Sequence, residues 1–240
     1  QTAPVLTLSP TSQSRCLNDS VTFKVSASGT QPITYQWQNT SGNLQGSVPM
    51  AYTTVGSASS VNTGTSYPTP YGNYYWGGKN QFIIRASELS AAGIGIGDIQ
   101  SLAFDVVNAN NCPSLVDFTI KIGFTSDSVL TSAWESGLTT VFNSSNYQPT
   151  VGWNTHAFQS AVSWNGTDNL IIETCFNNSS YLGSGNASIN LTTTSYNSTH
   201  EYHADNATVC SVTSGGYLYA KRPVVKLLTG SETSNYYINA

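Results

Sequence analysis

SYPTPYGNYYWGGKNQFIIRASELSAAG, residues 66–93, sets the character of the whole chain. Tyr67, Tyr71, Tyr74, Tyr75 and Trp76 are crowded between Pro, Gly and Asn, the residues that punctuate regular structure. QFIIRA at 81–86 then predicts a strand, and SELSAAG predicts one helical turn stopped by Gly93. On the N-terminal side lie a strand, AYTTVG at 51–56, and a Ser/Thr/Gly-rich loop over 57–69. On the C-terminal side, IQSLAFDVV at 99–107 and VDFTIKIGF at 116–124 predict strands joined by a turn at 108–113. Residues 132–137 predict a second short helical turn, and LTTVFN, THAFQSAVSW, NLIIETCF, ASINLTT and RPVVKLL predict further strands. Phe118, Ile120 and Ile122 alternate with polar neighbours, a period of two that puts them on one sheet face. Short strands at regular spacing with little helix argue an all-β chain whose residues 49–228 form a jelly-roll-like two-sheet sandwich.

Residues 1–48 read differently. VLTLSP, SVTFKVSASG and ITYQWQNTSG give three β-runs, with Val21, Phe23 and Val25 alternating against Thr22, Lys24 and Ser26. They look like strands A, B and C of an immunoglobulin-like domain, which ordinarily has about seven strands. Three strands leave an apolar face and an open edge, and an open edge is a template for another strand. The tail, residues 229–240, ends in NYYINA; Tyr236, Tyr237 and Ile238 are the candidate donor strand. Donation to a neighbouring copy would join subunits head to tail into an open filament.

Charged residues are 8% of the chain, against about a quarter in ordinary globular domains. Hydroxyls and amides take their place, a surface common in exported β proteins. Eight Lys plus Arg within a net charge of −4 leave no basic patch for nucleic acid. No apolar run approaches the roughly 20 residues of a membrane-spanning helix. A sequence opening at Gln1 with no signal peptide reads as mature or excised from a longer precursor. Cys16, Cys112, Cys175 and Cys210 form no CxxC pair, and their even count in this composition predicts two disulfides.

The stretch at 66–93, GFTSDSVLTSAWESGLTTVFN at 123–143 and GWNTHAFQSAVSWNGTDNLIIETCFNNSSY at 152–181, in this order, resemble a β-sandwich module that recurs in large secreted surface proteins of Bacteroidota. The resemblance covers roughly residues 50–228. It implies an extracellular or cell-surface location, a structural or adhesive role, export by the type IX secretion system, and partners that are copies of the chain or other modules of a longer protein. Because Cys175 and Cys210 both lie inside that module, it favours their pairing and leaves Cys16 with Cys112. Bacteria of this group O-glycosylate Asp-Ser/Thr followed by an apolar residue, a pattern met at Ser20 and Ser128. The ten N-x-S/T sequons, at Asn18, Asn39, Asn143, Asn165, Asn177, Asn178, Asn186, Asn190, Asn197 and Asn206, are a code usually unread in such hosts.

No catalytic set stands out: there is no GxSxG elbow, phosphate loop or HExxH. The sequence therefore predicts no enzymatic activity and no cofactor. His156 is expected on a sheet surface. His200 and His203 lie three apart in a strand, on opposite faces, and so cannot clamp one ion. Asp98, Asp105, Asp117, Asp127 and Asp168 are dispersed, with no DxDxDG cluster, so calcium is a weak expectation and no metal site is assigned. Tyr71, Tyr74, Tyr75 and Trp76 have two readings. They are a platform for stacking sugars, the mark of a carbohydrate-binding module, or they pack the sandwich, with Trp76, Trp153 and Trp164 filling the ends of its core.

Overall fold

The computed structural model describes residues 2–12, 20–30, 37–39, 42–43, 51–183, 185–206, 208–230 and 233–239. In chain order the strands are β1 (Val5–Leu8), β2 (Ser20–Ser28), β3 (Gln38–Asn39) and β4 (Gly42–Asn43). Then come β5 (Ala51–Val55), β6 (Ser60–Val61), β7 (Gly77–Ile84), the helix α1 (Ala86–Ala91), β8 (Gly97–Asn108), β9 (Leu115–Thr125), β10 (Thr139–Tyr147), β11 (Gly152–Trp164), β12 (Asn169–Asn177), β13 (Ser188–Thr193) and β14 (Thr199–Ala204). A 3-10 turn at Val209–Ser211 leads to β15 (Tyr217–Tyr219), β16 (Lys221–Pro223), β17 (Val225–Thr229) and β18 (Thr233–Asn239).

Two antiparallel sheets make an all-β sandwich. One has the order β10-β9-β12-β7-β14-β15; the other runs β16-β13-β8-β17-β5, with β11 paired to β8 and β6 to β13. The chain crosses between the sheets from β7 to β8, β8 to β9, β10 to β11, and at each step on to β14, the winding of a jelly roll. Phe82, Ile84, Phe104, Phe118, Ile120, Leu170, Ile172, Ile189 and Leu227 meet in one core between them. β12 is buried on both faces: Leu170 and Ile172 point into this core, while Ile171 packs with Ile83 and Leu130 on the outside. That double burial explains the unbroken LII run, where a half-exposed strand would alternate.

α1 follows from its sequence. Arg85 N donates to Glu88 Oε2 at 2.9 Å at its start, and Gly93 ends it with φ of +87°, a conformation natural to glycine. Residues 132–137, expected to form a second helical turn, are irregular after a bend at 132–133 and lay Trp134 on the outer sheet face. RPVVKLL is split at Val224: β16 ends at Pro223, opposite Leu191 of β13, and β17 goes on to pair with β8 and β5.

The N-terminal sheet has the order β1-β2-β18. Val25 is buried against Ala27 and Trp37, and the Phe23 and Trp37 rings lie 6.3 Å apart. The tail does lend β2 a strand, with Tyr236 opposite Phe23, Tyr237 opposite Thr22 and Ile238 opposite Val21. Within the single chain this pairing closes one edge of β2 locally. Most of the third run of the immunoglobulin-like reading falls outside the described residues.

Candidate functional site

On β7 the residues facing the core are Asn80, Phe82 and Ile84, and the register with β14 sets Glu201 opposite Asn80 and His203 opposite Gly78. Glu201 and His203 therefore share the inner face, and Tyr217 on edge strand β15 lies opposite Glu201. The loop at 62–76 supplies the other rings. His203 is stacked between Tyr67, at 4.4 Å and 10° between planes, and Tyr75, at 4.2 Å and 28°. Tyr217 lies 5.5 Å from His203 at 15° and is 58% exposed. Tyr74 meets Tyr75 edge-on at 5.2 Å. Beside them the loop at 178–185 is tied to Asn73 by Leu182 N to Asn73 O and by Asn73 Nδ2 to Ser180 O, both 2.9 Å, and exposes Tyr181 and Leu182.

Glu201 is fully buried beneath this strip and accepts from His203 Nδ1 at 2.8 and 3.1 Å. Burial raises its carboxyl pKa above the usual range, and the His203 contact opposes the rise. Burial, then the nearby Glu201, raise the Tyr67 phenol as well. The strip thus combines flat ring faces, phenol hydroxyls and one imidazole–carboxylate pair. Such surfaces stack on the C–H faces of sugar rings while their edges hydrogen-bond hydroxyls.

The sequence-based candidates divide. Tyr74, Tyr75 and Trp76 are half-buried, with Trp76 N donating to Asp205 Oδ1 at 3.2 Å. Tyr71 is wholly buried and its hydroxyl meets His156 Nε2 at 2.5 Å, so it is no stacking surface. His156 is corrected too: it sits in the core, not on a sheet surface, where Phe142 and Tyr147 press on it at 4.6 and 4.7 Å. Desolvation lowers its pKa to about 3. Of the tryptophans expected to end the core, Trp164 is buried, whereas Trp153 is 37% exposed under the Lys226 ammonium, 3.9 Å away. Tyr217 and Tyr181 were not singled out from the sequence, and Tyr67 was counted among the crowded rings without being assigned to the stacking platform. The alternation of Glu201 and His203 in THEYHA, with YLY to follow, was the available signal.

The opposite face of the same sheet carries a second cluster. His200, Gln81, Glu173 and Lys121 stand side by side on β14, β7, β12 and β9. Lys121 Nζ lies 2.8 Å and Lys79 Nζ 3.5 Å from the buried Glu173 carboxylate. Desolvation lowers the Lys79 pKa, and Glu173 opposes the fall. Two loops cover this row. Gln81 exchanges hydrogen bonds with the Glu135 backbone, both 2.9 Å, and Trp134 stacks on His200 at 3.9 Å. On the other side, Cys210 is bonded to Cys175, with Cα atoms 5.6 Å apart.

Cys112 is a free, buried thiol with its pKa pushed up to about 12 by burial, which corrects its expected pairing with Cys16; Cys16 lies outside the described residues. Ser128 is in an exposed turn, and the side chain of Ser20 lies outside the described residues. Among the sequons, Asn143, Asn165, Asn197 and Asn206 are exposed. Asn178 and Asn186 are buried and spend their amides on backbone, as in Val116 N to Asn178 Oδ1 at 2.8 Å and Tyr74 N to Asn186 Oδ1 at 3.0 Å. Among the described residues no three His, Cys, Asp or Glu are grouped to hold a metal ion, and no helix is long and apolar enough to cross a membrane.

No protein-family model and no curated protein matches the chain. Solved structures similar to the chain include one from Clostridium difficile. It holds the cysteine protease and lectin-like domains of Cwp84, a surface-layer-associated protein of Clostridium difficile, at a TM-score of 0.38 and 8% identity over 65% of this chain and 32% of that one. The expectation of no enzymatic activity is corrected on this comparison: the similar chain includes a cysteine protease domain, so a non-enzymatic reading is not kept. A likeness this slight assigns neither domain's activity to this chain.

Proposed function

We propose that the chain is an extracellular adhesive module that binds carbohydrate along the strip formed by Tyr217, His203, Tyr75 and Tyr74. The observation that carries this reading is Tyr217, exposed beside the stack of Tyr67, His203 and Tyr75 whose rings already hold one another in place. The surrounding charge suits a neutral glycan, since the carboxylate of Glu201 is buried and the strip itself contains no Lys or Arg. A disulfide and a surface of hydroxyls and amides support an oxidising, extracellular setting. The test is an array of neutral and acidic polysaccharides, with Tyr217→Ala and Tyr75→Ala beside the native protein. Saturable binding that falls at least tenfold in both variants is expected. No binding, or binding that both variants retain, overturns the reading.

A second reading is head-to-tail assembly of copies. It is favoured by β18, which residues 230–232 alone separate from β17 and which makes with β2 hydrogen bonds that a second copy could supply equally. Light scattering across a hundredfold range of concentration, with and without residues 233–240, tests it. Growth that needs the tail supports exchange, and a monomer throughout ends it.

A further inference from the structure

We propose that residues 210–216 are a positioning strap, through which contacts on the outer face of the six-stranded sheet set the place of Tyr217 on the inner face. The inference rests on the carbohydrate reading of the strip and deepens it. β15 is three residues long and sits at the sheet edge, with three residue pairs to β14. So short an edge strand holds its side chains weakly unless something else fixes it. The chain just before it is fixed at successive points. Cys210 is bonded to Cys175 on β12, and its N–H reaches Asn177 Oδ1 at 3.3 Å. Lys79 Nζ donates to Val212 O at 2.9 Å. Gly215 O accepts from Trp134 Nε1 at 3.1 Å and from His200 Nε2 at 3.0 Å.

The chain then rounds the edge of β14. Gly215 and Gly216 have φ of +76° and +119°. A Cβ on Gly216 would fall 2.6 Å from Glu201 O and 2.8 Å from His200 Nε2, so only glycine passes this close. The next residue is Tyr217, delivered to the His203 ring. His200 and His203 thus read opposite faces of one strand: the first holds the strap and the second receives the ring the strap places. Lys79, Trp134 and the disulfide are positioning residues for a face they do not touch.

The experiment uses the full chain as Cys175→Ser/Cys210→Ser, with Trp134→Phe as the milder variant, which keeps a ring on His200 and removes the bond to Gly215. NMR contacts between the His203 and Tyr217 rings are read without ligand, with the His203–Tyr67 contact as internal control. Affinity is read with cellohexaose and chitohexaose. The expected result is loss of the Tyr217 contact with the Tyr67 contact kept, graded between the two variants, and affinity lowered at least tenfold in the double variant. Retention of the Tyr217 contact overturns the proposal, and so does loss of both contacts together, which would mean general loosening. If the native protein binds neither hexasaccharide, the carbohydrate reading loses these ligands while the ring contacts still decide the strap.

Discussion

His156 shows what one misplaced charge would cost this fold. It is buried among Tyr71, Phe142 and Tyr147, and its pKa falls from 6.5 to about 3 because the imidazolium has no water there. Below pH 6.5 the unfolded chain takes up a proton that the folded chain refuses. Stability is therefore whole above that pH and falls as pH drops toward 3, by up to about 5 kcal/mol for a shift of this size. Glu201 acts in the opposite sense: its raised carboxyl pKa means that protonation in acid removes a buried charge. The urea midpoint should fall between pH 6.5 and pH 4 by more in the native chain than in His156→Gln, and an equal fall in both would show that His156 is not held neutral. The sequence made GWNTHAF a strand but left His156 on its surface. Period two says which residues share a face, and it does not say which face is covered. Tyr71 escaped for a related reason: in SYPTPYGNYYWGG five rings lie among turn residues with no period at all, and only tertiary packing sends one inward.

At the scale of elements, the disulfide and the loop at 126–138 turn the outer face of a sheet into a second, smaller core. Ile83, Leu130 and Ile171 pack there beside the Lys79–Glu173 pair. The bridge closes a sequence separation of 35 residues. Removing it by Cys175→Ser/Cys210→Ser should cost about 3–4 kcal/mol through the freed unfolded chain, a fall of very roughly 10 °C in Tm for a chain of this size. Calorimetry checks this, and an unchanged Tm would mean that the bridge constrains nothing. The long strands β8, β9, β11 and β12 were legible because each carries an apolar run or an alternating one. β14 was read as a strand only for the spacing of its two histidines, without a place in the sheet, and β15 was not read at all. THEYHA and YLY are short, polar or aromatic, and they owe their form to the neighbour β7 and to the strap. The helical turn expected at 132–137 failed where Trp134 found a better partner in His200 than a helix could give it.

For the whole molecule, the sandwich between β5 and β17 was visible in the spacing of strands, while the fate of the tail was not, since no local pattern names the strand that a distant edge will meet. The N-terminal sheet has a mechanical consequence. β1 and β18 both run antiparallel to β2, hence in the same direction, with Val5 at the Ser28 end and Asn239 at the Ser20 end. A pull that separates these two points drags β1 and β18 past β2 in opposite senses. The rungs of the β2–β18 ladder are then loaded together, as in a lap joint, and the sandwich carries none of the tension until they give. A pull between Thr2 and Thr30, whose backbones are bonded at 3.2 Å, instead opens β1 from β2 one rung at a time. In single-molecule stretching the first geometry should yield at a clearly higher force than the second, and equal forces would deny the joint. A chain that grips a surface by its aromatic strip would then bear load through three strands at its ends, leaving the shape of the gripping face untouched.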